Sequence, residues 1–141
     1  MSKVDSYETA LLNLVLAAKN YSNIAIASTA STSIWVSLHT ADPGDTGTQA
    51  TSEATYSGYL RVATDRTTGG WVVASGSASP AASITFATCT ASSTTSITHF
   101  SVGLSSSGAG TAIYNGTVTP NISVTTNVTP SLTTASAITE D

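Results

Sequence analysis

Between Arg66 and Glu140 the chain carries no Lys, Arg, Asp or Glu. Residues 67–139 therefore take their polarity from hydroxyls. The whole chain of 141 residues holds 23 Ser and 26 Thr, over a third of its length. Charged residues make up 9%, against about 25% in an ordinary soluble protein. The apolar fraction of 40% and a mean hydropathy of +0.17 point away from disorder, which combines low hydrophobicity with high net charge. The length accommodates a single domain over residues 1–141.

Four basic residues stand against eight acidic ones, a net charge of −4. Nucleic acid needs clustered Lys and Arg to neutralise phosphates, so this balance excludes it as a partner. An anionic membrane surface is excluded on the same ground. The single cysteine, Cys89, has no partner for a disulfide within the chain and no basic neighbour in sequence to activate it. It reads as a buried thiol in a strand.

Residues 10–18 (ALLNLVLAA) are apolar, and Ala25-Ile26-Ala27 has the look of a signal cleavage site. Asp5 and Glu8 near the start and Asn13 within the run argue against a secretory signal. The run is also too short to span a bilayer, which takes about 20 apolar residues. An amphipathic helix over 6–20 accounts for it better. Asp5 and Glu8 have capping-box spacing, Ser6 is an alternative N-cap, and Leu11, Leu14, Val15 and Ala18 share one helical face. Lys19 suits the C-terminal end of the helix dipole, and Asn20 is the expected stop.

Beyond the helix, short β-branched runs alternate with Gly, Pro, Ser and Asn. Ile34, Val36 and Leu38 alternate with Trp35, Ser37 and His39 as in a half-buried strand. Tyr59–Ala63 is expected to place Leu60 and Val62 inward, with Tyr59 and Arg61 outward. Gly69-Gly70 turns into a strand at 71–74. Others are expected at 83–86, 98–104, 111–118, 121–126 and 132–139. About eight strands at spacings near a dozen residues predict a mainly β chain, an antiparallel β-sandwich of jelly-roll type over 33–139 with one N-terminal helix.

The longest irregular stretch runs from Thr40 to about Ser57. It starts with a turn, Ala41-Asp42-Pro43-Gly44-Asp45, in which Pro43 fixes φ and Gly44 permits positive φ. Asp42, Asp45 and Glu53 match no calcium-loop spacing and read as solvated turn acids, so no metal and no cofactor are expected. The only candidate catalytic bases are His39 and His99. Neither sits in a recognisable catalytic frame, and both read as surface or satisfied strand histidines. No enzyme activity is expected, and no catalytic or cofactor-binding residue is assigned. Sequons at Asn20, Asn115, Asn121 and Asn127 arise readily by chance in so hydroxyl-rich a chain.

Sheet edges in monomeric β-proteins are guarded by charges, prolines or bulges. From Thr67 to Thr139 only Pro80, Pro120 and Pro130 serve, so self-association is expected. Leu38-His39-Thr40-Ala41-Asp42-Pro43-Gly44, Thr55 to Ala63, Gly108 to Tyr114, Val128 to Ser131 and Ile138 to Asp141 together resemble a family of small structural proteins of tailed bacteriophages. The resemblance is strongest to capsid cementing (decoration) proteins of Bordetella-type short-tailed phages, although members also carry tail-fibre labels. It implies a jelly-roll homodimer on the outer surface of an HK97-like capsid, clamping neighbouring major capsid protein subunits. The alternative it leaves is a tail- or fibre-associated virion subunit that contacts a host surface.

Overall fold

A computed structural model describes residues 3–22, 24–28 and 31–140. Asp141, which closes the last of the resembling stretches, lies outside them. Elements run in the order α1 (Asp5–Leu16), β1 (Ser33–His39), β2 (Val62–Asp65), β3 (Trp71–Ala74), β4 (Ser77–Pro80), β5 (Ile84–Thr85), β6 (Thr95–Gly103), β7 (Ala112–Val124), β8 (Ser131–Leu132) and β9 (Ile138–Thr139). The chain is mainly β, with antiparallel sheets and one helix near its N-terminus, as the residue pattern predicts. Among the described residues, no helix is long and apolar enough to cross a membrane. The chain divides into two compact units. The first comprises Met1–Ile34, Thr64–Ser83 and Thr133–Asp141; the second comprises Trp35–Ala63 and Ile84–Leu132.

In the first unit α1 packs against β3 and β4. β3 and β4 pair antiparallel with Ala74 opposite Ser77, and β9 joins β4 through Ser77 and Ala78. The two residues between β3 and β4, Ser75 and Gly76, both have positive φ, the conformation of a tight hairpin turn whose twist matches its strands. The Gly76 N–H reaches back to Thr9 Oγ1 of the helix at 2.8 Å. β4 escapes sequence reading because Ser-Ala-Ser-Pro looks like loop. Its small residues nevertheless alternate in burial, with Ala78 and Pro80 inside.

The helix differs from its expected form in length, caps and phase. It spans Asp5–Leu16, not 6–20; Val4 occupies the N-cap position without a side-chain cap, and Ala18 leaves the helix at positive φ. Leu12 and Leu16 are fully buried, whereas Leu11, Leu14, Val15 and Ala18 are only half-buried. Nearly every position from Ala10 to Ala18 is apolar, so the period alone leaves the phase of the face open. Lys19 does not supply the C-terminal cation. Arg66 does: its Nε donates to the Val15 carbonyl and one Nη to the Leu14 carbonyl, each at 2.6 Å.

The second unit holds β6, β7 and most of β1, which belong to a sheet of order β2–β1–β6–β7. β1 and β6 pair antiparallel from Trp35 opposite Gly103 to His39 opposite His99. Val36, Leu38 and Val102 are fully buried, as the alternation predicts for β1 and β6; Ile97, ahead of the predicted run, and Val124 of β7 are fully buried too, while Thr98 is only half-buried. Leu104, expected on the same inward face as Phe100 and Val102, is exposed beyond the end of β6. β7 runs longer than expected, absorbing the two strands read at 111–118 and 121–126. Its pairing with β6 slips between Ile97 and His99, where Val118–Asn121 of β7 oppose Thr98 alone. Pro120 sits in that bulge, the position at which a strand tolerates a missing N–H.

Candidate functional site

The second unit holds a cluster of polar side chains that the alternation of apolar residues assigns to the surface. Arg61 was expected outward and Leu60 inward; the structure reverses them, with Leu60 72% exposed and Arg61 6%. The reversal follows from ion pairing, because residues 59–61 precede β2 and no strand constrains their phase. Arg61 Nε and one Nη donate to the two Glu53 carboxylate oxygens at 2.7 Å each, a bidentate fork. The guanidinium also donates to the Ser105 carbonyl at 2.9 Å and the Gly108 carbonyl at 2.6 Å. Glu53 takes a third bond from the Tyr59 hydroxyl at 3.0 Å, while that hydroxyl accepts the Leu38 N–H at 2.9 Å. Glu53 is therefore a clamped partner and not a solvated turn acid. Burial, followed by the Glu53 carboxylate, pushes the Tyr59 phenol well above its ordinary range.

His39 continues this network inward. It is fully buried. Nδ1 lies 2.8 Å from the Thr51 carbonyl, which only accepts, so Nδ1 carries the proton. Nε2 then accepts from the Ser101 hydroxyl at 2.8 Å, and Ser101 accepts in turn from Ser37 at 2.7 Å. Burial holds the His39 imidazolium form down, below the usual histidine range. The Ser–His contact has the distances of a nucleophile and its base. Both serines and the histidine are sealed from solvent, however, and the histidine is oriented by a carbonyl. What the arrangement can do is tie β1 and β6 to the loop at Thr51. His99, the other candidate base, is half-buried and bonded through Nδ1 to Thr98 Oγ1.

Gln49 closes the cluster. It is fully buried, donates to the Trp35 carbonyl at 3.2 Å and accepts the Ser105 N–H at 3.0 Å. A Cβ at Gly103 would lie 2.3 Å from Gln49 Cδ, so the strand end admits only glycine there. Sequence reasoning missed Arg61, Glu53, Gln49 and the Ser37–Ser101 pair. The available signal was scarcity: in a chain with four cations, an arginine eight residues from a glutamate is a natural ion pair.

Two clefts open on this unit. One, of about 300 Å³, runs past Leu60 between Glu53 and Ser106–Gly108. The second, of about 280 Å³, lies between Gly44, Asp45 and Gly47 on one side and Ala112–Asn115 on the other. Asp42 does not reach it; its Oδ1 accepts the Gly44 N–H at 2.9 Å and fixes the turn. Cys89 is buried as expected, though outside any strand, and its thiol donates to the Ala91 carbonyl at 3.1 Å. Among the described residues no group of three or more His, Cys, Asp or Glu is placed to hold a metal.

In this mainly β chain Glu53, Arg61 and Arg66 tie loop backbone together. A family described as podophage GP4 fibre I protein gp80 matches residues 2–139. The chain belongs to this family of phage virion structural proteins. No curated protein matches it.

Proposed function

We propose that this chain is a tail- or fibre-associated subunit of a phage virion, which associates with copies of itself and contacts the host surface, and that it works by assembly and binding without catalysis. The observation that carries the reading is the family match across nearly the whole length, to a family described by its fibre protein. The surface supports it. Along β7, Thr117, Thr119, Asn121 and Ser123 are all exposed, a row of neutral hydrogen-bonding side chains on an edge strand with no charge to repel a neighbour. Contacts made by such a surface rest on hydroxyl, amide and backbone hydrogen bonds and should respond only weakly to salt.

The Leu38–Gly44 and Thr55–Ala63 stretches favour a second reading, a cement subunit on the outer surface of the capsid that clamps major capsid subunits. A cement subunit stabilises the shell by mass action, about 2.7 kcal/mol per site at a hundredfold excess over Kd. Stoichiometry separates the two. Quantitative mass spectrometry of purified virions against the major capsid protein should give a few copies to a few tens for a fibre component. Hundreds of copies, in fixed ratio to the major capsid protein, would replace the fibre reading with the cement one.

A further inference from the structure

The Asp42–Asp45 turn, conspicuous in the sequence and unused by the clamp, builds one wall of the groove beside β7. The turn is rigid. Asp42 holds the Gly44 N–H, the Gly47 N–H donates to the Gly44 carbonyl at 3.1 Å, and Pro43 is buried. A Cβ at Gly47 would lie 2.1 Å from the Pro43 carbonyl oxygen, so the turn closes only on glycine. Its position is also set. The Gln49 N–H donates to the Gly110 carbonyl at 2.9 Å, and Thr48 bridges Thr111, the residue before β7. Carbonyls of successive residues in an extended chain point to opposite sides. Leu104 N–H takes the Thr111 carbonyl on the β6 side, so the turn approaches from the outer side of the strand.

The groove thus sets a carboxylate (Asp45), an amide (Asn115) and a half-buried phenol ring (Tyr114) around about 280 Å³, near the lower end of small-molecule sites. Among the described residues no cation lines it, which disfavours phosphates, sulfates and carboxylates. A single carboxylate falls far short of the six to eight oxygens a calcium ion takes. Carboxylate and amide together both donate and accept, and the aromatic ring offers an apolar face. A neutral sugar presents hydroxyls at its rim and C–H groups on its faces. We infer that the groove between the Asp45 turn and Tyr114–Asn115 binds a neutral saccharide. The inference deepens the host-contact reading above and rests on it.

The test is a titration of the purified chain, followed by amide NMR, with N-acetylglucosamine oligomers, mannohexaose and isomaltohexaose, and with oligogalacturonate as the anionic control. At least one neutral probe should bind at millimolar Kd or tighter and shift the Asp45, Tyr114 and Asn115 signals. Asn115→Ala and Asp45→Asn should each weaken binding at least tenfold while leaving the rest of the spectrum in place, and oligogalacturonate should shift nothing. No response to any neutral probe, equal binding by the variants, or the same signals moving only with protein concentration would overturn the inference; the last would assign the groove to a second copy. Virion stoichiometry is independent of all these outcomes. A fibre component that ignores sugars defeats the inference alone, and a sugar binder present in hundreds of copies defeats the fibre reading alone.

Discussion

The two units each hold an arginine that reaches far along the chain, and they use it differently. Arg61 faces a carboxylate: its fork on Glu53 leaves two further donors for the Ser105 and Gly108 carbonyls. Among the described residues no carboxylate lies within bonding distance of Arg66. It donates to carbonyls alone, those of Leu14 and Val15 at the helix end and those of Ser28 and Ser31 at 2.5 and 3.5 Å. The negative end of the helix dipole stands in for a counter-ion there, a weaker and more exposed substitute. Both residues convert one of few charges into an anchor for irregular backbone. Of the two arginines, only Arg61 strands an opposite charge when it is removed.

The largest expected effect tests that asymmetry. Arg61→Ala leaves a largely buried Glu53 carboxylate unpaired, and breaking such a pair costs about 3–5 kcal/mol. Urea unfolding should show a loss in that range. Arg61→Ala paired with Glu53→Gln should recover part of it, and a double variant no more stable than Arg61→Ala would contradict the ion-pair account. Next in size is the helix core of the first unit. Leu12→Ala, at a fully buried site, should cost about 2–5 kcal/mol. Leu14→Ala, half-buried, should cost clearly less; the reverse order would restore the face expected from sequence.

Arg66→Ala should be milder, about 1–2 kcal/mol, since its acceptors are carbonyls, some of them able to bond water. Hydrogen exchange should show the gain in exposure concentrated at the end of α1. A loss as large as that of Arg61→Ala would mean that the counter-ion makes no difference. The smallest effect is the pH response of His39. Its imidazolium is disfavoured in the folded state, so below about 6.5 the unfolded chain binds the proton first. Stability from this group is whole above that pH and falls as pH drops below it, by at most about 1.4 kcal/mol per unit. His39→Gln should flatten the urea midpoint between pH 7.5 and 5.5. An unchanged slope would place the titrating group elsewhere.

The legible part of this fold was the part set by apolar alternation. Ile34, Val36 and Leu38 announced β1, because a sheet with one buried face imposes period two, and the apolar run after the Gly69-Gly70 turn announced β3. The helix was legible as an element and illegible in phase, since apolar residues surround it. What stayed hidden was decided by long-range polar partners. Arg61 reads as a surface residue until Glu53 and two loop carbonyls are placed around it, and Gln49 gives no sign in sequence of Gly103, whose missing Cβ leaves room for its side chain. The candidate groove was half legible. The Asp42–Asp45 segment stood out as a turn, yet only the Thr48–Thr111 bridge and the Gln49–Gly110 bond set it beside Tyr114 and Asn115.

The most direct test of the account is to see where the chain sits in the particle. Electron cryo-microscopy of virions, with an antibody fragment against this protein as a marker, should place the density at the tail or its fibres. The same fragment should reduce adsorption to host cells. Density spread over the capsid at subunit junctions, with adsorption unaffected, would contradict the fibre assignment.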